Sequence, residues 1–248
     1  MKLKKKEISN WNEMASISPW WTVLNLDKYK SDDFEKKEFF KTGEKEIELV
    51  MQHLKELKIR WKSDNLLDFG CGVGRLTQAL CPHFKHCTGV DISDKMIEVA
   101  NRFNRYPDRC TYLVNQKDDL KLFSDNQFDI IYSSIVLQHI KKGLIYRYFK
   151  EFVRIMKPGG LFVFQLPYKP FFKKRVKNII KKVVPNLFLN IYRKMRTKTT
   201  AHSNMCWIPA RKIKRFFDEQ KAELINKIPF TLYQQNDYYS YLYVIRKL

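Results

Sequence analysis

The residues with the clearest chemical potential form a glycine-rich segment at positions 66–77, which reads Leu-Leu-Asp-Phe-Gly-Cys-Gly-Val-Gly-Arg-Leu-Thr. Its apolar start predicts a β-strand with Asp68 at its end, and its second half predicts a helix. Between them stand three glycines at alternate positions, Gly70, Gly72 and Gly74. Glycine permits a tight turn and lets a ligand lie against bare backbone, while the N–H groups of the helix start face that ligand. The segment therefore predicts a binding site at a strand–turn–helix junction.

The acid before the turn favours a cationic ligand. A dinucleotide-binding turn places a pyrophosphate over the helix start and prefers the spacing Gly-x-Gly-x-x-Gly, whereas this chain has Gly-x-Gly-x-Gly. In a partly desolvated cleft the carboxylate of Asp68 would repel a pyrophosphate. The same carboxylate would attract an ammonium or a sulfonium group, so we expect a ligand that carries such groups.

An acid followed by Gly-x-Gly-x-Gly resembles the first motif of the class I S-adenosylmethionine-dependent methyltransferases. Further landmarks follow in the family's order. The segment 89–93 (Gly-Val-Asp-Ile-Ser) ends a second apolar run and places Asp91 where the family binds the ribose hydroxyls. A carboxylate suits that task because it accepts from two neighbouring hydroxyls. Residues 128–134 resemble the family's fourth strand, and the segment 157–160 (Lys-Pro-Gly-Gly) resembles its turn into strand five.

The resemblance implies S-adenosylmethionine as the cofactor and a set of residues that bind it. Met96 matches the family position that packs on the adenine. After the third strand the family usually carries an acid that bonds the adenine amino group, whereas this chain has Gln116, followed by Asp118 and Asp119. A glutamine oxygen can accept that bond too, and the alternative is that residues 115–119 form a solvated loop. The cofactor-binding residues that we predict are Asp68, Gly70, Cys71, Gly72, Gly74, Asp91, Ile92, Met96, Gln116 and Ser133.

Strand and helix patterns alternate from Leu66 to Leu166, which predicts an α/β fold with a doubly wound, mostly parallel sheet. Beyond them, residues 209–219 predict a helix, and residues 224–228 and 238–246 predict two final strands. The resemblance implies a Rossmann-like sheet of seven strands with the last one antiparallel. It also implies that the cofactor lies at the carboxyl ends of the strands.

The predicted organisation is an N-terminal helical arm or lid at residues 1–60 and a methyltransferase domain at 61–248, with an insertion at 168–205. The arm is rich in aromatic residues, and the resemblance suggests that such a region closes over the cofactor. Our hypothesis is that Trp20, Trp21 and Phe40 help to close the pocket and exclude water. The alternative is that these aromatics only pack the arm onto the sheet. The aromatics concerned are Trp11, Trp20, Trp21, Phe34, Phe39 and Phe40.

The net charge of +21 is extreme for a metabolic enzyme of 248 residues. From Lys169 to Thr200 there are eleven lysines and arginines and no acid. Apolar residues between them follow one helical face, interrupted by Pro185, which predicts two short basic amphipathic helices. Such an insertion suggests contact with an anionic membrane surface, or a lipid-linked or phosphorylated acceptor. The alternatives are a merely solvated helical cap and an RNA-binding surface.

The remaining composition indicates a protein of the cytoplasm, with possible peripheral contact to the inner membrane face. No apolar run reaches the roughly 18 residues of a membrane span, and the lysine-rich start lacks the hydrophobic segment of a signal peptide. Five cysteines without a Cys-x-x-Cys pair favour reduced thiols. We predict no metal site.

Methyl transfer chiefly requires that donor and acceptor are positioned and that water is excluded. A hydroxyl acceptor also benefits from a general base. His139 and His202 are the candidates, although a structural role is the favoured alternative for each. The segment 133–136 (Ser-Ser-Ile-Val) replaces the Asn-Pro-Pro-Tyr step typical of enzymes that methylate base amino groups. We therefore predict O- or N-methylation of a small molecule, a glycan or a lipid-linked acceptor. An RNA methyltransferase and a non-catalytic S-adenosylmethionine-binding module are the alternatives.

Overall fold

The computed structural model describes residues 5–170, 205–230 and 238–248. These residues form one seven-stranded sheet with helices on both faces. The strands are β1 (Asn65–Phe69), β2 (His86–Asp91), β3 (Cys110–Val114), β4 (Phe128–Ser133), β5 (Met156–Pro170), β6 (Ala222–Pro229) and β7 (Tyr238–Lys247). The helices are α1 (Lys5–Ile17), α2 (Pro19–Val23), α3 (Lys36–Glu56), α4 (Arg75–Leu80), α5 (Asp94–Arg102), α6 (Lys142–Ile155) and α7 (Ala210–Asp218). Short 3-10 turns occur at Asp27–Tyr29, Cys81–His83 and Leu137–His139.

The strand order is β3-β2-β1-β4-β5-β7-β6. Strands β1 to β5 pair in parallel, and β7 runs antiparallel to both β5 and β6. This arrangement confirms the predicted Rossmann-like α/β fold with seven strands and an antiparallel last strand. The order reverses at β1, which pairs with β2 on one side and with β4 on the other. In open α/β sheets the crevice at such a switch point is where ligands bind. Most of the predicted basic insertion, residues 171–204, lies outside the described residues.

The strands are apolar on both faces because helices cover both faces of the sheet. In β5, Phe162 and Phe164 point towards α6 and α7, where they pack against Phe149 and Phe217. The alternate residues Leu161 and Val163 belong to the opposite layer, which α3, α4 and α5 complete. Helix α3 buries Ile47, Val50, Met51 and Leu54 in that layer. The last helix of the predicted arm is therefore part of the central core.

The first part of the arm forms a separate aromatic cluster. The side chain of Trp20 lies at its centre and makes edge contacts with Phe34, Phe39, Phe40 and Phe103 at centroid distances of 5.1–6.2 Å. The cluster also includes Val73 and Met96, so it packs against the glycine turn and α5. The Oγ of Ser18 caps α2 by accepting from the Trp21 N–H. This packing attaches the arm to the edge of the sheet at which the parallel strands end.

Candidate active site

A cavity opens at the carboxyl ends of β1, β2 and β4, at the switch point of the sheet. Its walls are the glycine turn, the end of β2, the loop after β4 and two segments of the arm. Seven of the ten predicted cofactor-binding residues line it: Asp68, Gly70, Cys71, Gly72, Asp91, Ile92 and Met96. The predicted site is thus one contiguous surface.

The glycine turn has the backbone conformation for which glycine is needed. The φ angles of Gly70, Gly72 and Gly74 are 78°, 54° and 79°, values that other residues rarely adopt. A Cβ atom on Gly74 would lie 2.3 Å from the Tyr112 hydroxyl oxygen, so this glycine serves packing at the start of α4. A Cβ atom on Gly72 would lie 2.8 Å from a Val23 methyl group. The arm therefore lies directly against the turn.

Asp91 is held in place by the backbone around it. Its Oδ2 accepts from the Gly72 N–H at 2.9 Å, and its Oδ1 accepts from the Ser93 N–H at 2.9 Å. Burial raises the pKa of Asp91, and the hydrogen bonds from Ser93 and Gly72 oppose that rise. Each carboxylate oxygen can accept further bonds, so this side chain can bind two neighbouring hydroxyl groups in the cavity.

Asp68 is 2% exposed and accepts from the Thr77 hydroxyl at 2.6 Å. Burial raises its pKa to about 7, while the Thr77 hydrogen bond and the Arg75 charge pull the pKa down. The charge of this side chain is therefore sensitive to whatever occupies the cavity. A cation beside it would favour the ionised carboxylate.

Three predicted residues lie outside the cavity lining, and in two cases the neighbouring residue lines it. Ser133 is buried inside the sheet and its hydroxyl donates to the Phe69 carbonyl at 2.9 Å, whereas Ser134 lines the cavity. Gln116 is exposed, whereas Asn115 lines the cavity. The physical reason is that successive residues at a strand end point in opposite directions. Gly74, the third, faces Tyr112 instead.

The loop after β4 contains a strained residue, Ile135, and is held in place by residues of β5 and β7. Ile135 has a φ of 62°, which is costly for a β-branched residue. Its N–H donates to Oε1 of the buried Gln165 at 3.1 Å. The Gln165 amide group in turn donates to the Ser240 hydroxyl at 2.8 Å and to Oε1 of Gln138 at 3.4 Å. Residues of β5 and β7 thus fix the cavity wall.

His139 lines the cavity, and this anchored chain of amides ends at its ring. The Gln138 Nε2 lies 3.2 Å from the His139 Nε2. Because the Gln138 oxygen accepts from Gln165, its nitrogen faces His139 and can only donate. The His139 Nε2 is therefore an acceptor, and burial lowers the pKa of the ring to about 4. The other predicted base, His202, lies outside the described residues.

Helix α1 supplies two cavity residues, Trp11 and Glu7, that were not among the three residues expected to close the pocket. Trp11 lines the cavity and its ring meets the His139 ring edge-on at 5.7 Å. Glu7 also lines the cavity and forms an ion pair with Lys141 at the start of α6. The residues expected to close the pocket, Trp20, Trp21 and Phe40, are absent from the lining because they pack in the aromatic cluster.

A buried ion pair between Glu46 of α3 and Arg75 of α4 lies behind the glycine turn. The sequence analysis did not predict this pair. The Arg75 Nη2 lies 2.7 Å from the Glu46 Oε2, and the Ser134 hydroxyl donates to the Glu46 Oε1 at 2.7 Å. The available signal was an acid within the apolar face of α3, one residue before Ile47. Within residues 5–170, 205–230 and 238–248, no group of three or more metal-binding side chains occurs, and no helix has the length and hydropathy needed to cross a bilayer.

Comparison with known proteins agrees with this geometry. Residues 67–164 match the family model described as "Methyltransferase domain". The matched segment runs from β1 to β5 and includes the glycine turn and Asp91, so this part of the chain is similar to a methyltransferase domain. The chain also shares its fold with magnesium protoporphyrin IX methyltransferase from Synechocystis PCC 6803 with bound SAH. The TM-score is 0.65 at 15% identity, over 97% of each chain.

Two curated relatives that match part of the chain have names that state an activity. Ubiquinone biosynthesis O-methyltransferase from Coxiella burnetii is 33% identical over 111 residues, which cover 44% of this chain and 46% of that protein. Demethylmenaquinone methyltransferase from Symbiobacterium thermophilum is 36% identical over 115 residues, which cover 44% of each. The chain therefore spans less than half of the length of the curated relatives it matches.

Proposed function

We propose that this protein is an S-adenosylmethionine-dependent methyltransferase. The observation that carries the proposal is the pair of acids around the glycine turn. Asp91, fixed by the N–H groups of Gly72 and Ser93, presents free acceptor positions for two hydroxyls. Asp68, buried at the end of β1, presents a carboxylate for a cationic group. These donors and acceptors fit a ligand that combines a ribose with an amino-acid ammonium and a sulfonium.

Each part of the cavity then has a task. Asp91 binds and orients the ribose, and Met96 and Ile92 make apolar contacts with the ligand. The glycines have no side chain, so the ligand can lie directly against the backbone. The bound cofactor supplies an activated methyl group. The arm excludes water, since Trp11 and Glu7 of α1 lie over the wall formed by His139 and Lys141. Excluding water and aligning the two reactants are the main contributions that a protein makes to such a displacement.

We infer that the acceptor is a small molecule that receives the methyl group on an oxygen or nitrogen atom. The wall formed by α1, the loop after β4 and the start of α6 contributes apolar side chains, which are those of Trp11, Val136, Ile140 and Leu144. The names of the two curated relatives refer to ubiquinone biosynthesis and demethylmenaquinone, and they support a small acceptor. The proposal also includes glycans and lipid-linked molecules as acceptors.

His139 is proposed as a wall residue and not as the general base. Its Nε2 already accepts from Gln138, and its low pKa of about 4 makes it a weak base. We expect His139→Asn to retain cofactor affinity and to lose less than about tenfold in turnover. A loss of about 100-fold or more, the usual contribution of a general base, would assign proton abstraction to this ring.

Calorimetry with S-adenosylmethionine tests the proposed site. Asp68→Ala and Asp91→Ala should each weaken binding by at least about tenfold, since a hydrogen bond to a charged group is worth roughly 1.5–3 kcal/mol. Asp94→Ala is the matched control, because this exposed acid lies three residues after Asp91 at the start of α5. Unchanged affinity in both site variants would refute the site. Release of S-adenosylhomocysteine in the presence of fractionated cell extract tests turnover and identifies the acceptor.

We also propose that the protein works in the cytoplasm and contacts an anionic surface there, either a membrane face or a phosphate-bearing acceptor. The support is the net charge of +21 and the concentration of basic residues at 169–200. Each basic group near an anionic leaflet contributes about 1 kcal/mol. RNA is the competing anionic partner.

A further inference from the structure

Glu46 is a fully buried acid, at 0% exposure, that belongs to the arm but contacts three parts of the cofactor site. Its Oε2 pairs with the Arg75 Nη2 at 2.7 Å. Its Oε1 accepts from the Ser134 hydroxyl at 2.7 Å and from the Tyr132 hydroxyl at 3.2 Å. One carboxylate thus joins α3 to α4, to β4 and to the loop after β4.

The backbone of α3 is shaped for this contact. Gly43 lies one turn before Glu46, and a Cβ atom on it would stand 2.4 Å from the Arg75 carbonyl oxygen. Only glycine permits that approach of the two helices. The Thr42 hydroxyl oxygen, beside Gly43, lies 3.4 Å from the Arg75 Nη1 and accepts from it. The ion pair is therefore held by a close helix–helix contact and by three hydroxyl groups.

Two of the groups that Glu46 contacts, Arg75 and Ser134, line the cavity. Arg75 also acts on Asp68 through its charge, and Glu46 acts on Asp68 with the opposite sign. The other titratable groups around Asp68 are Asp91, Tyr132 and the thiols of Cys71 and Cys110, and the Thr77 hydroxyl bonds it directly. Among these groups, Glu46 is the acid supplied by the arm.

We propose that Glu46 is a positioning residue of the cofactor site, which holds Arg75 and Ser134 in the cavity wall and sets the charge of Asp68 from the arm. The inference rests on the proposed function, because it concerns the affinity for S-adenosylmethionine. It goes beyond that function by making an arm residue outside the cavity lining a determinant of cofactor binding.

The test measures the dissociation constant of S-adenosylmethionine against pH in the full-length protein. In the wild type we expect binding to weaken below a midpoint near the Asp68 pKa of about 7. Glu46→Gln removes the charge that opposes ionisation of Asp68, so the midpoint should move to lower pH. The affinity at pH 8 should also fall by about tenfold, because the glutamine amide keeps only one acceptor oxygen and its NH2 group cannot accept from Ser134 or Arg75. Glu48→Gln, an exposed acid two residues along the same helix, is the matched control.

The double variant Glu46→Gln, Arg75→Met keeps the inference testable if an unpaired buried arginine prevents folding. Arg75 acts on Asp68 more strongly than Glu46 does, so removing both charges should move the midpoint to higher pH. Shifts of opposite sign in the single and double variants would not follow from a loss of stability alone. If the folded variants have the wild-type midpoint, the inference is overturned. If the wild type itself binds no S-adenosylmethionine, the proposed function fails instead.

Discussion

At the scale of single residues, Asp68 combines deep burial with direct access to the cavity. Its folded-state pKa of about 7 lies above the ordinary value of 3.8 because burial disfavours the charge. Between these two values the folded chain binds a proton that the unfolded chain does not. Stability therefore rises as the pH falls through 7, whereas affinity for a cationic ligand falls.

This opposition gives the first prediction. As the pH is lowered from 8 to 5, the dissociation constant of S-adenosylmethionine should rise by up to about tenfold per pH unit below 7, while the Asp68 contribution to the unfolding temperature of the apoprotein rises. Calorimetry and thermal melts over the same buffers measure both. Asp68→Asn should bind weakly and with a flattened pH profile. Affinity that is independent of pH in the wild type would show that no cation lies beside this carboxylate.

The second prediction at this scale concerns the glycine turn. Gly74→Ala should lower the free energy of unfolding by about 3 kcal/mol, since left-handed backbone costs about 1–2 kcal/mol and the new methyl group meets Tyr112. Gly159→Ala is the control, because its φ is 74° but nothing lies within 4 Å of its added Cβ. It should lose only the backbone part. Urea unfolding measures both variants, and equal losses would mean that Tyr112 moves aside without penalty.

At the scale of secondary-structure elements, the arm consists of parts with different attachments. Helix α1 buries only Ala15 among its own residues and reaches the cavity through Glu7 and Trp11. Helix α3, by contrast, contributes Ile47, Val50 and Leu54 to the core. The lid function that we propose for the arm therefore belongs to α1, and α3 is needed for folding.

The third prediction follows from this division. Deleting residues 1–17 should leave a folded protein that retains cofactor binding but loses most of its turnover, because water enters the site. Deleting residues 1–56 should yield insoluble protein, because the layer that α3 covers becomes exposed. Circular dichroism, calorimetry and S-adenosylhomocysteine release distinguish the cases. Full turnover after the shorter deletion would remove α1 from the mechanism.

The secondary-structure elements also show which parts of the fold and of the site could be predicted from the sequence. The glycine turn, Asp91 and the alternation of strands and helices were predictable, because motif spacing and alternating apolar runs are local signals. It was not predictable that Ser134, and not Ser133, lines the cavity. A shift of one residue at a strand end decides which face of the sheet a side chain takes. Glu46 looked like one more acid on an amphipathic helix. Its role depends on Arg75 and Ser134, which lie 29 and 88 residues away in the chain.

At the scale of the whole molecule, the net charge of +21 yields the fourth prediction. The protein should float with vesicles that contain anionic lipid and not with neutral ones, and added salt should release it. A filter-binding assay with tRNA is the comparison. Tight retention of tRNA without flotation would favour RNA as the partner. If the protein neither floats with vesicles nor retains tRNA, the net charge has no role in binding these partners.

The anchor of Ile135 is completed late in the synthesis of the chain. The ribosome adds Ser240 only 75 residues after Gln165, long after the glycine turn and both acids have emerged. Until β7 joins β5, the Gln165 amide lacks one of its partners and the strained loop has a weaker tether. A nascent chain therefore carries the glycine turn and both acids well before the loop beside the pocket has its full anchor.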